Sequence, residues 1–142
     1  MSRLMRKFGY DISNDRVNEL TKKYHINMIA GEELVEVVLE DWEDVVFTIR
    51  YKTSHYIHDV QNFGNVVTAK LVPLVEGMRF EIIEPVTKAN HPWLMENVVV
   101  GDVLEYEPNS VYGSINRYQG LSLKVKEGVS QINFSHVRWV PS

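Results

Sequence analysis

The chain has 142 residues, 44% of them apolar, with eight glycines and five prolines, the composition of a folded globular protein rather than a disordered one. It contains no cysteine, which removes disulfides, thiolate nucleophiles, cysteine-ligated zinc and iron–sulfur clusters. Its net charge of −4 argues mildly against a dedicated nucleic-acid binder.

A chain of this length is expected to form a single domain, 1–142, with subregions at 1–77 and 78–142, burying roughly two-thirds of its unfolded surface. Met1–Lys7 is positively charged without an apolar run behind it, so no secretory signal is expected. No window approaches about eighteen apolar residues, so no membrane span and a cytoplasmic location are expected. The charges are unevenly placed. Residues 1–24 hold six Lys/Arg against three Asp/Glu, whereas 31–48 hold seven acids and no base.

In chain order, the first element is a helix at about 14–24. Ser13 or Asn14 can cap it, Val17, Leu20 and Tyr24 share one face, and Lys22 and Lys23 sit where cations favour the helix dipole. Over 33–52 two patterns compete. Leu34, Val38, Trp42 and Val45 fit a helical stripe, while Val35, Val37 and Leu39 fit a strand. The density of β-branched residues favours strands, which predicts a hairpin with Glu40–Asp44 as its loop. Residues 53–64 are polar and read as a loop, and Val66–Leu74 as a strand ending near Pro73. After a turn at Val75–Gly77, Met78, Phe80 and Ile82 alternate with Arg79 and Glu81, a half-buried strand. Pro85–Asn97 is a long connection.

The last third is the most regular. Gly101-Asp102 opens a strand over Val103–Glu107, Leu121–Lys126 alternates strictly, Glu127-Gly128 is a tight turn, and Ile132–Val140 closes the chain. From residue 78 the order is therefore strand, long loop, strand, loop, strand, tight turn, strand, short turn, short strand. This order resembles an SH3-like barrel over less than half the chain. The resemblance implies that Phe80–Ile83 is the first strand and that Ser135–Val137 forms a 3₁₀ turn before a last strand at Arg138–Val140. It also implies a shallow ligand groove flanked by the first two loops. Peptide-binding SH3 domains carry several aromatics in the first loop, where this chain has only Trp93, so no binding residue is carried over. The whole is expected to be α+β, mainly β: an N-terminal helix and antiparallel hairpin packed on a C-terminal SH3-like barrel.

Candidate chemistry is sparse. His55 and His58 with Asp59 have a spacing that would bring two imidazoles to one metal only on a helical turn, and they are weak metal candidates. His91 and His136 have the right chemistry for general bases, but no glycine elbow marks a nucleophile, and structural or solvated roles are expected. Asp102, Glu105 and Glu107 lack the following acid-x-Lys of a nuclease site and read as the polar face of a strand opposite Lys124 or Lys126. Neither glycine-rich phosphate motif occurs, and no cofactor is expected. Tyr112, Arg117 and Tyr118, in the loop Asn109–Gly120, are the best candidates for a contact surface, with Trp93 on the neighbouring loop. Trp42, among four acids, is either tucked in or offered to a partner.

These features favour a non-enzymatic binding or regulatory protein that engages a protein partner through loops of a small barrel. A nucleic-acid-binding module is one alternative. Another is a small enzyme or nucleotide-binding protein with its pocket at a subunit interface of a homo-oligomer. The size and lack of motifs would also fit an accessory protein of a phage or mobile element.

Overall fold

The computed structural model describes residues 4–7, 10–92, 94, 97–107, 120–126 and 128–141. The fold is α+β and mainly β, and the chain divides into two compact units, Met1–Leu74 and Val75–Ser142.

The first unit opens with an antiparallel hairpin, β1 (Leu4–Lys7) and β2 (Tyr10–Ser13). Helix α1 (Asn14–Lys23) follows directly, because the Ser13 hydroxyl accepts the Arg16 amide at 3.1 Å and satisfies an otherwise orphan N–H. Val17 and Leu20 turn inward, and a 3₁₀ turn at Ile26–Met28 leads to β3 (Glu33–Val38). A second 3₁₀ turn, Leu39–Asp41, runs into α2 (Trp42–Lys52), and β4 (His55–Asn62) and β5 (Val66–Pro73) complete the unit. The sheet has the antiparallel order β3-β5-β4. Val37 and Leu71 of the sheet share a core with Val17, Leu20, Ile26, Val45 and Ile49.

Two expectations are corrected here. Residues 33–52 are not a hairpin: β3 is a strand as expected, but 42–52 is a helix. β-Branched side chains disfavour a helix by only about half a kcal/mol each. In α2 that is outweighed by a buried Val45–Thr48–Ile49 stripe at helical spacing, with Glu43 and Asp44 in the first turn and Arg50 and Lys52 in the last. Residues 55–62 are a strand and not a loop. Alternation is hidden in β4 because its second half is exposed and a bulge shifts the register between His58 and Gln61, with Asp59 at φ +50°.

The described strands of the second unit form an antiparallel sheet. Its strands are β6 (Arg79–Ile82), β7 (Val103–Tyr106), β8 (Leu121–Val125), β9 (Gly128–Ile132) and β10 (Val137–Val140), in the order β10-β6-β7-β8-β9. The last strand thus returns to pair with the first. Phe80, Ile82, Leu123 and Ile132 are fully buried. On the other face Arg79, Glu105 and Lys124 lie side by side across β6, β7 and β8, so charge alternates from strand to strand. Gly101, at φ +101°, makes the turn into β7: its amide donates to the Ile82 carbonyl, and the Asp102 carboxylate accepts the Val99 amide. The 3₁₀ turn before β10 spans Phe134–His136 and starts one residue earlier than expected, because the Asn133 side chain caps it by accepting the Ser135 amide.

Candidate functional site

In the first unit, the seam between α1 and α2 is built around Asp41, which is 3% exposed. Its Oδ2 accepts from Lys23 Nζ and Tyr24 Oη, each at 2.7 Å, and its Oδ1 accepts from Arg16 Nη2 at 2.7 Å. Arg16 Nε also reaches Asp44 Oδ2 at 2.9 Å. Lys23, Tyr24 and Arg16 together hold the Asp41 carboxyl well below the usual carboxylate range. Burial, followed by the bond to Asp41, raises the Tyr24 phenol above its ordinary value. Tyr24 is therefore a fixed donor and not a base. Its oxygen accepts the Val38 amide at 3.3 Å, which ties α1 to the end of β3.

Lys23 and Tyr24 of this clamp also line an open groove of about 790 Å³. Tyr24, His25, Met28 and Ile29 line one side, and β3 from Glu33 to Glu36 lines the other. His25 is held at φ +54°, in the left-handed region that non-glycine residues seldom occupy. Sequence reasoning missed this site. Its only signal was the opposite charge of 1–24 and 31–48, which does not say which acid is buried.

In the second unit, the long connection from β6 to β7 is tightly bonded. Asn90 Oδ1 accepts the Thr87 amide at 2.9 Å, Asn90 Nδ2 donates to the Pro85 carbonyl at 3.1 Å, and the His91 amide donates to the Thr87 carbonyl at 2.6 Å. Val86 and Val98 bridge its two arms. His91 is completely buried. Its Nδ1 donates to Asn90 Oδ1 at 2.6 Å, and its Nε2 accepts the Asn133 amide at 3.0 Å. The ring latches the connection to the turn that precedes β10. Burial, reinforced by the facing His136, lowers the His91 pKa to about 4. His136 meets it edge to face, with ring centres 4.9 Å apart. With both ring nitrogens engaged, His91 is a structural residue.

The other sequence candidates are dispersed. His55 and His58 lie three apart on a strand and so face opposite ways. His55 is buried and donates from Nε2 to the Gly31 carbonyl at 3.0 Å, while His58 stacks on Tyr56. Among the described residues no group of three or more His, Asp or Glu converges as a metal site. Asp102 caps its own turn, and Glu105 sits opposite Lys124. Trp42 opens α2 and packs half-buried against the first unit's core. Trp93, Tyr112, Arg117 and Tyr118 lie outside the described residues. Among the described residues no helix is long and apolar enough to cross a membrane. No family model, curated protein or solved structure matches the chain.

Proposed function

We propose that this chain is a non-enzymatic binding or regulatory protein, and that its second unit is an SH3-like small barrel whose loops engage a protein partner. The strand order β10-β6-β7-β8-β9, with a 3₁₀ turn before the strand that pairs back with the first, supports the barrel reading. The observation that carries the binding role is the His91 latch. It fixes a long connection through both ring nitrogens, in the segment that leads to Trp93. A segment held in this way, as the described part of the connection is, loses less entropy when a ligand meets it. The same bonds commit to structure a histidine that could otherwise work as a base.

The test is a pull-down from host lysate with the full chain and with a Trp93→Ala, Tyr112→Ala, Arg117→Ala variant of unchanged circular dichroism. Loss of one stoichiometric protein with the variant is the expected result. Equal recovery removes these loops from the partner surface. Capture of nucleic acid that weakens steeply between about 50 and 200 mM salt would replace the protein-partner reading.

A further inference from the structure

The β3 edge has features that the second unit's loops do not explain. β3 is an outer strand of its sheet. The Leu39 amide points toward β5, donating to the Asn65 carbonyl at 2.7 Å, whereas the preceding Val38 amide points the other way, to Tyr24 Oη. Backbone direction alternates with period two along a strand. The N–H and C=O groups of Leu34 and Glu36 therefore point away from β5, toward the groove side. The Tyr24–Val38 contact closes the end of that edge, and among the described residues two residues' worth of backbone donors and acceptors are presented in line.

The surroundings are half apolar and half acidic. Met28 is 75% exposed and Leu34 69% exposed, while Val35 and Ile29 pack against the core. Glu32, Glu33 and Glu36 are exposed on or beside the strand. The nearby Lys23 is already engaged by Asp41. The C-terminus of α1, with its partial negative charge, opens on the same side. Charges on an edge strand commonly serve to repel other strands. Here they lie beside two exposed aliphatic side chains, a combination that complements a chain carrying basic and apolar residues.

We propose that β3 is a strand-addition site: an extended segment of a partner protein, with Lys or Arg interleaved with apolar residues, lies in the groove as a fourth strand of the β3-β5-β4 sheet. Backbone bonds to Leu34 and Glu36 supply its affinity. Glu36 selects the basic residues on the exposed face it shares with Leu34, and Val35 with Ile29, on the core side, takes the aliphatic ones. The site is independent of the second unit's loops and would stand if those loops bound nothing.

The experiment uses the full chain and three fluorescent peptides of about eight residues, read by anisotropy: alternating Lys-Val, alternating Glu-Val, and Lys-Val N-methylated on alternate amides. The Lys-Val peptide is expected to bind and the other two to bind at least tenfold more weakly. Glu36→Lys should weaken Lys-Val binding by roughly 3–10-fold, the effect of reversing one or two facing charge pairs. Leu34→Pro should abolish it while sparing the fold. The Leu34 N–H points away from β5, so proline removes no ladder bond yet blocks the edge. If Leu34→Pro fails to fold, Glu36→Lys and the N-methylated peptide still decide the matter. Equal binding of the Lys-Val and N-methylated peptides, indifference to Glu36→Lys, or absence of Lys-Val binding overturns the proposal. So does a dimer that Glu36→Lys dissociates or strengthens, because the edge would then belong to a second copy.

Discussion

The two units fix their most irregular segments by opposite electrostatics. The first buries an ionised carboxylate and surrounds it with donors: Asp41 with Arg16, Lys23 and Tyr24. The second buries a neutral imidazole and satisfies both of its nitrogens: His91 with Asn90 and Asn133. A buried charge needs several partners to offset its desolvation, whereas a neutral ring needs only one donor and one acceptor. The two solutions therefore respond differently to acid. Asp41 has a depressed native pKa, so its contribution is present above about pH 4 and is lost only below that. His91 is also depressed, to about 4, so its contribution is complete above the unfolded value near 6.5 and is lost as pH falls from there toward 4. Between those limits acid loosens the second latch and leaves the first intact.

The largest expected effect comes from breaking the charged clamp. Asp41→Ala should destabilise the first unit by about 3 kcal/mol, since three donors lose a buried acceptor, although the cations can still reach water. Amide hydrogen exchange resolved by unit is the measurement. Equal loosening of both units would show that they unfold as one body and would end the contrast. Next comes the pH response of the second unit. Between pH 6.5 and 4 its stability should fall by about 2–3 kcal/mol beyond the fall shown by His91→Gln, which has no imidazole to titrate. Identical pH profiles for the two proteins would assign the acid sensitivity to other groups. The smallest effect concerns backbone packing beside the latch. A Cβ on Gly120 would sit 2.5 Å from the Ile132 carbonyl oxygen, so Gly120→Ala should cost about 1–2 kcal/mol in urea unfolding. A neutral result would mean that β8 and β9 can shift apart there without loss.

The second unit was far more legible in the sequence than the first. Its strands are short and joined mostly in order, so an alternating run such as Leu121–Val125 maps onto one strand, and the facing of Glu105 with Lys124 follows from register. In the first unit local propensity misled. The valines of 45–46 read as strand because the buried stripe that Val45 joins, with Thr48 and Ile49, becomes visible only once α1 and the sheet are in place. β4 was hidden by its polarity and its bulge. The polar sites were the least readable part. Asp41 meets Arg16 across 25 residues and His91 meets Asn133 across 42, and no local spacing encodes either pairing. What the sequence did carry was the imbalance between a basic start and an acidic middle, and the structure resolves it into one buried clamp and one exposed acidic edge.

The hydrogen bonds of the two buried histidines give each an assigned tautomer. A backbone carbonyl can only accept and a backbone amide can only donate. His55, bonded at Nε2 to the Gly31 carbonyl, must carry its proton on Nε2, whereas His91, bonded at Nε2 to the Asn133 amide, must carry it on Nδ1. The two rings thus use Nε2 in opposite senses, as a donor in the first unit and as an acceptor in the second. Their nitrogen-15 resonances are a built-in pair of reporters: release of either segment would let that ring exchange between forms while the other stayed fixed.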